Sequence, residues 1–372
     1  MLHIGITGQA GFIGTHLFNF FGIRKEEVTR IPFEDNYFDH KDKLEEFVSK
    51  CDVIIHLAAL NRHNDPHTIY NTNVLLVNKL IRALETTGSK PHILFSSSTQ
   101  EERDNMFGQS KREGRRLLAE WAERNNASFT GMVIPNVFGP FGNPYYNSVV
   151  ATFCHQVCHN EQPHIEIDAK LKLIYIGELV QIIWKAIVDR ESMIEYRIPH
   201  TAEKSVSELL EYINHYKSTY LEKGIFPELS SPFEVNLFNT FRCYMDIPNY
   251  YPVKLVMNTD NRGSFVETIK SQLGGQVSFS TTKPGITRGN HFHTRKIERF
   301  AVIKGKARIQ LRRIGTSKII NFDLDGNQPS YVDMPVWYTH NITNTGNEDL
   351  YTIFWINEFF NPDDPDTYFE TV

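Results

Sequence analysis

The sequence predicts an α/β doubly wound parallel sheet followed by an all-β barrel. Three features carry this reading. The chain has 372 residues, enough for about two domains. Over its first half, short apolar runs alternate with helical patterns, as crossover units require. From about Val253 onward the texture changes to short β-rich stretches punctuated by Gly, Pro and Asn turns, which suits an antiparallel barrel or sandwich.

Taken in order, Leu2–Thr7 is the first strand, and a helix follows from about Phe12. A second strand is expected over about Glu27–Ile31. Val53–Ala59 precedes a helix near Val74–Glu85, and His92–Ser96 precedes a helix from about Ser110. These strands are apolar along most of their length, as in a parallel sheet covered on both faces. Asn147–His159 and Ser205–Tyr220 carry helical spacing, and Phe226–Asn249 is rich in Pro, Ser and aromatics. The break between domains is placed near Asp246–Tyr250, giving domains 1–247 and 248–372. In the second, strands are expected over Gln276–Thr281, Phe300–Ile303, Ala307–Arg312, Tyr331–Asp333 and Tyr351–Trp355. No internal repeat or low-complexity tract is evident.

Composition excludes several functions. Hydrophobic residues make up 41% and charged residues 22% of the chain, which is too apolar and too weakly charged for disorder. A net charge of −5 gives no basic field to gather polyanions, so nucleic acid is not an expected partner. Four cysteines, at 51, 154, 158 and 243, are too sparse for a disulfide framework and suit a reducing compartment. No apolar run approaches the roughly 18 residues that would span a bilayer, and Met1-Leu2-His3 enters a strand without a cationic leader. A cytoplasmic protein, free of the membrane, is expected.

Ile4-Gly5-Ile6-Thr7 followed by Gly8-Gln9-Ala10-Gly11-Phe12-Ile13-Gly14 is a strand running into a glycine-punctuated turn and then a helix. Gly8 can take the tight turn, Gly11 lets the backbone approach a pyrophosphate, and Gly14 lets helix and strand pack closely. The helix N-terminus, at Phe12 and Ile13, supplies free N–H groups and a positive dipole end. This is the Rossmann-type dinucleotide fingerprint. The second strand ends at Thr29-Arg30, and the nearest acids, Glu34 and Asp35, come after Pro32. A basic residue at this point tolerates a 2′-phosphate, so Arg30 points to NADP(H) over NAD; the alternative is a solvated strand-end arginine.

Further segments follow in a set order: Asp52-Val53-Ile54-Ile55-His56-Leu57-Ala58-Ala59, Asn73-Val74, Phe95-Ser96-Ser97-Ser98, Gly108-Gln109-Ser110-Lys111, Pro135-Asn136-Val137-Phe138-Gly139 and Leu173-Ile174-Tyr175-Ile176. Over roughly residues 1–240 this series resembles the extended short-chain dehydrogenase/reductase family, which works mostly on nucleotide sugars. The resemblance implies that Leu57, Ala58 and Ala59 line the cofactor together with Pro135. It implies that Ser98 binds and polarises a sugar carbonyl or hydroxyl, that Lys111 holds the nicotinamide ribose and that Asn136 faces the substrate. The family's proton donor is a tyrosine four residues before the lysine, stacked over it by one helical turn. Here that position is Phe107, which has no proton to give. Three explanations stay open: the chain is a Tyr-to-Phe variant made to trap a complex, or Ser98 or Thr99 acts with water, or this half has become a binding module.

Gly285 through Glu298, with Gly305 seven residues on, has the pattern G-x5-H-x-H-x4-E-x6-G. On a strand, His291 and His293 share a face, and Glu298 can return on the next strand. His340 can add a fourth ligand. Three imidazoles and a carboxylate suit a borderline divalent ion such as Zn, Fe, Mn or Ni, with zinc the first choice. Residues from about 250 to 372 resemble the cupin superfamily, although Trp337 stands where its second motif has glycine. In that superfamily some sugar epimerases work without metal, so His291 or His293 as a base is the alternative. Cys154-His155 and Cys158-His159 are read as a packed helix with buried thiols, not a second metal site.

A reductase of this type fused to a cupin resembles the bifunctional nucleotide-sugar enzymes of bacterial capsule and O-antigen synthesis that lead to UDP-N-acetyl-L-fucosamine. Asn147–Phe153, Lys283–Thr287 and Pro365–Phe369 look like segments of those enzymes, so the resemblance spans essentially the whole chain. It implies a UDP-amino-sugar substrate, epimerised at carbon 3 by the cupin half and reduced at carbon 4 with NADPH by the other. It also implies a homodimer through the barrels. The alternatives are an NAD-dependent 4,6-dehydratase or 4-epimerase with a structural cupin, and a non-catalytic nucleotide-sugar sensor.

Overall fold

The computed structural model describes residues 1–261 and 263–372. In the first half the chain runs β1 (Leu2–Thr7), α1 (Phe12–Gly22), β2 (Val28–Ile31), α2 (Lys41–Ser49), β3 (Val53–His56), α3 (Pro66–Thr87), β4 (His92–Ser98), α4 (Met106–Asn125), β5 (Phe129–Ile134), β6 (Asn136–Phe138), α5 (Val149–Cys158), β7 (Lys170–Tyr175), α6 (Ile176–Val188), β8 (Met193–Arg197) and β9 (Ala202–Ser205). Six strands form one parallel sheet in the order β2-β1-β3-β4-β5-β8. The order reverses beside β1, and the crevice at the carboxyl ends of β1 and β3 is where such sheets take ligands.

The expected strands are there because their residues have nowhere else to go. Every residue of β3 and β5 is buried. Ile54, Ile93 and Phe95 pack with Val77 and Leu80 of α3 and with Leu118 and Trp121 of α4. Several boundaries differ from expectation, most of all α3, which starts at Pro66 rather than near Val74 because the Asp65 side chain caps it by accepting from the His67 and Thr68 N–H groups. β3 stops at His56 rather than Ala59, because its partner β1 ends at Thr7, and the last bond between them runs from the Leu57 N–H to the Thr7 carbonyl at 3.2 Å. α4 starts at Met106 rather than Ser110, because the Asn105 side chain caps it by accepting from the Gly108 N–H at 2.7 Å.

By its internal packing the chain divides into two compact units, residues 1–138 with 146–148 and 170–204, and residues 139–145 with 149–169 and 205–372. The second unit continues with α7 (Val206–Tyr216), β10 (Ile225–Phe226), α8 (Pro232–Arg242), α9 (Ile247–Tyr250), β11 (Val253–Lys254), β12 (Met257–Asp260), β13 (Gly263–Val266), β14 (Lys270–Ser271), β15 (Gln276–Thr282) and β16 (Thr287–Phe292). It ends with β17 (Glu298–Lys304), β18 (Lys306–Arg313), β19 (Ile319–Asp325), β20 (Ser330–Met334), β21 (Tyr338–Asn344), β22 (Leu350–Ile356) and β23 (Tyr368–Phe369). Two antiparallel five-stranded sheets, β11-β20-β17-β22-β15 and β19-β18-β21-β16-β23, make the all-β body.

The break in packing therefore falls earlier than the expected 247/248. A buried polar network explains the shift. Arg299 of β17 pairs with Asp333 of β20 through two bonds, at 2.7 and 2.9 Å, and both side chains are wholly buried. Tyr220, which follows α7, donates to the same carboxylate at 2.6 Å, and Arg242 of α8 donates to Tyr220 and to the Met334 carbonyl. A buried charge pair persists only where its remaining hydrogen bonds are met, so α7 and α8 are bound to the strands that they help to satisfy.

Candidate active site and metal centre

In the first unit the glycine turn is built as its spacing requires. Gly8 has φ +71°, and a Cβ there would stand 2.8 Å from the Ala58 nitrogen, so the Leu57–Ala58 backbone passes directly against it. A Cβ on Gly14 would meet the Gly8 carbonyl at 2.3 Å. Gly11 is the N-cap of α1, and no side chain caps that helix, so the first-turn N–H groups at Phe12, Ile13 and Gly14 are left for an anion. These residues fit a dinucleotide pyrophosphate. Arg30 is not gathered with them: its guanidinium lies 4.1 Å from the centre of the Phe18 ring and donates to the Phe18 carbonyl, toward the C-terminal half of α1.

Lys111 lies one helical turn beyond Phe107 on α4. Its buried ammonium donates to the Ser96 carbonyl at 2.9 Å and stands 5.2 and 5.6 Å from the ring centres of Phe95 and Phe107. Burial lowers its pKa to about 8, against the opposing pull of the Glu101 carboxylate. Ser98 caps the short turn Thr99–Glu102, its Oγ accepting from the Gln100 N–H. That turn and α4 touch at Gly108, where a Cβ would stand 2.0 Å from the Gln100 carbonyl oxygen. A glycine here therefore brings the Phe107 end of α4 against the Ser98–Thr99 segment. Pro135 joins β5 to β6, and Asn136 at the start of β6 donates to the Lys172 carbonyl at 3.1 Å.

Three groups in this half are not singled out by the sequence. The buried Glu101 carboxylate accepts from the Ser97 hydroxyl and takes two bonds from Arg115, at 3.0 and 2.7 Å. Asn73 of α3 donates to Leu60 and to the Ser110 hydroxyl, fastening the loop after β3 to α4. His56 is buried with Nδ1 2.7 Å from the Thr7 hydroxyl and Nε2 without a hydrogen bond, and burial, seconded by Lys111, lowers its pKa to about 3. Asn73 and His56 lie inside the segments that carry the family resemblance, but only contact shows what they hold.

In the second unit His291, His293, Glu298 and His340 bring one ligand atom each to within 4.8 Å of one another, the single such group among the described residues. β16 pairs with β21 so that His291 faces His340, after a bulge in which Asn290 takes φ +60°. His293 lies just beyond the end of β16, and Glu298 opens β17. Glu298 Oε2 is 3.2 Å from His293 Nε2 and 3.1 Å from His340 Nε2. His340 Nε2 is buried, and its approach to Glu298 lacks the angle of a good hydrogen bond, while its Nδ1 donates to the Tyr338 carbonyl. An imidazole nitrogen buried and left over in this way, beside a carboxylate and two more imidazoles, fits a divalent cation. Burial and the neighbouring His340 lower the pKa of His291 to about 4; burial works against the charge on Glu298, but the two histidines hold its carboxyl below the usual range. Trp337, in the place of a glycine, takes φ +62°; its backbone N–H donates to the His293 carbonyl at 2.8 Å and its ring stacks on Phe292. The turn is kept despite the bulky residue.

Comparison with known proteins agrees with this division. Residues 4–198 match the model of the NAD dependent epimerase/dehydratase family, and residues 258–368 match the polysaccharide biosynthesis C-terminal domain. The chain is 33% identical over 370 residues, 98% of its length and 97% of the relative's, to the UDP-2-acetamido-2,6-beta-L-arabino-hexul-4-ose reductase of Pseudomonas aeruginosa. It is 35% identical to the capsular polysaccharide assembling protein CapF of Staphylococcus aureus, whose crystal structure it matches over the full length of both chains with a TM-score of 0.62. The RMD protein of Pseudomonas aeruginosa, solved with NADPH, shares the fold at 20% identity over 59% of this chain and 83% of that one, with a TM-score of 0.52.

Proposed function

Since the chain belongs to the NAD dependent epimerase/dehydratase family, we propose that it is a bifunctional UDP-sugar enzyme whose second unit epimerises carbon 3 of a UDP-2-acetamido-2,6-dideoxy-hexos-4-ulose and whose first unit reduces the carbon-4 ketone. The product is UDP-2-acetamido-2,6-dideoxy-L-talose, on the way to UDP-N-acetyl-L-fucosamine for capsule or O-antigen. The pairing of an uncapped glycine turn in one unit with a buried three-histidine, one-glutamate cluster in the other carries the proposal. The sequence similarity to a hexulose reductase along nearly the whole chain supports it.

A proton on the carbon beside a ketone is acidic because its loss gives an enolate, so epimerisation has to precede reduction. When bound, NADPH supplies the hydride for carbon 4, and a divalent ion, to which we assign zinc, supplies charge stabilisation within the barrel. The residues do the remaining work. Gly8, Gly11 and Gly14 clear space for the pyrophosphate and the N–H groups at Phe12 and Ile13 bind it. Leu57, Ala58, Ala59 and Pro135 line the nicotinamide side, and Lys111 holds the ribose. Ser98 or Thr99, acting with water, hydrogen-bonds the carbon-4 oxygen and passes it the proton that completes the reduction, the water making good the hydroxyl's loss, and Asn136 faces the sugar. Arg30 leaves Phe18 to meet the 2′-phosphate. Residues 1–247 would then serve reduction and 248–372 epimerisation.

We assign the pair of barrels to a homodimer, because Phe265 of β13 and Val277 and Phe279 of β15, an edge strand, stand mostly exposed. Neither nucleic acid nor a membrane is a partner on this reading, and the four free cysteines suit the cytoplasm.

The test is incubation of the 4-keto UDP-sugar with NADPH in heavy water, following deuterium at carbon 3 and NADPH absorbance separately. Deuterium uptake with slow NADPH loss is expected. Phe107 favours one second reading, a nucleotide-sugar sensor, and the absence of both signals would count against our reading and favour that one.

A further inference from the structure

The C-terminal segment crosses the metal centre. β23 pairs with β16 so that Phe369 faces His291 and Tyr368 faces Phe292. Just before it, Asp366 is buried and takes φ +41°, a left-handed conformation that a non-glycine residue keeps only when the surroundings fix it. What fixes it is contact with the loop that links His293 to Glu298. Asp366 Oδ1 accepts from the Thr294 N–H at 3.0 Å and from the Thr294 hydroxyl at 2.6 Å. Its Oδ2 accepts from the N–H groups of Arg295 and Lys296 at 3.0 and 2.9 Å. The Asp366 carbonyl accepts from His293 Nδ1 at 2.6 Å. The adjacent Pro365 carbonyl accepts from the buried Lys296 ammonium at 2.7 Å.

We infer that Asp366 is the positioning residue of the metal centre, setting at once the tautomer of His293 and the spacing between His293 and Glu298. A carbonyl can only accept, so His293 Nδ1 must carry a proton, and Nε2, 3.2 Å from the Glu298 carboxylate, is the nitrogen left to face the cluster, where a bound metal would take the place of its proton. A single carboxylate meanwhile satisfies three consecutive backbone donors of the five-residue step from His293 to Glu298, and Asn357 satisfies the fourth, at Ile297. Both ligands are thereby held by a residue about 70 positions away in sequence.

The inference rests on reading the four residues as a metal site, so the wild-type chain is titrated first with Zn(II) against a competing chelator and with Co(II) by absorbance. No binding there would overturn the metal reading itself. If the wild type binds, Asp366→Asn and Asp366→Ala are expected to lose about 10–100-fold in zinc affinity and to change the Co(II) spectrum. Asp364→Asn, which alters an exposed neighbouring side chain bonded to the Arg295 guanidinium, is expected to leave both unchanged. Wild-type affinity and an unaltered spectrum in the Asp366 variants would overturn the assignment. A measurement on the unmutated zinc form stands beside them: ¹⁵N spectra of labelled histidine should show His293 protonated at Nδ1 and metallated at Nε2, and the opposite tautomer would equally refute it.

Discussion

At the scale of the residue, the proposed reduction turns on one side chain that lacks a hydroxyl. Phe107 stands one turn before a buried lysine, its ring centre 5.6 Å from the ammonium, where the resemblance to the extended short-chain dehydrogenase/reductase family implies a tyrosine. A properly placed general acid contributes about 10²–10⁴-fold. Phe107→Tyr should therefore raise the rate of NADPH oxidation by a factor in that range while leaving deuterium uptake at carbon 3 unchanged; an unaltered rate would mean that Ser98 or Thr99 already does the work. Phe107, the glycines and the four cluster residues are all legible in the sequence, because their chemistry depends on type and short spacing. Asp366 and the Glu101–Arg115 pair are not. Their partners lie about 70 and 14 positions away and nothing local marks a carboxylate as buried.

His56 gives a second test at this scale. Its folded pKa of about 3 lies below the ordinary 6.5, owing to burial and then to Lys111. Between those values the unfolded chain binds more protons than the folded one, so the stability that neutral His56 permits is complete above pH 6.5 and lost progressively as pH falls toward 3. Urea midpoints should decline over that interval, and His56→Asn should flatten part of the decline. A variant curve parallel to wild type would rule His56 out as a contributor.

At the scale of the element, two turns decide where side chains end up. Gly108 lets α4 meet the Ser98–Thr99 turn, and a methyl there would collide with the Gln100 carbonyl, which backbone cannot yield cheaply. Gly108→Ala should cost about 1–3 kcal/mol in denaturant titration and weaken NADPH binding, since the two segments must part. The sequence pattern puts the start of α4 four residues late although Asn105 is an ordinary capping residue; the signal is present, but the motif around Lys111 draws the boundary toward itself. Trp337 is the opposite case. Its left-handed backbone costs about 1–2 kcal/mol, yet its buried indole stacks on Phe292, and losing such a ring typically costs about 3–5 kcal/mol. Trp337→Gly should thus destabilise the protein by roughly 2 kcal/mol, because the packing lost exceeds the strain relieved. A rise in melting temperature would show that backbone strain dominates.

At the scale of the whole molecule, the order of strands in both halves follows from alternation and turn spacing, but the place where packing divides does not. The residues that bind α7 and α8 to β17 and β20 pair positions 220 and 242 with 333 and 334, a separation that no periodicity in the chain reports. Each candidate site is nonetheless complete within one unit, the glycine turn inside residues 1–138 and the metal cluster inside 205–372. Stripping the metal should therefore act on one half alone. A ligand held at about a thousand times its dissociation constant adds about 4 kcal/mol to the fold that binds it. Chelation should lower the melting transition of the barrel-containing unit and abolish or slow exchange at carbon 3, while the affinity for NADPH, read by quenching of protein fluorescence, stays as it was. Loss of NADPH affinity on chelation, restored by zinc, would show that the nucleotide site depends on residues of the other unit and would overturn the separation of the two chemistries.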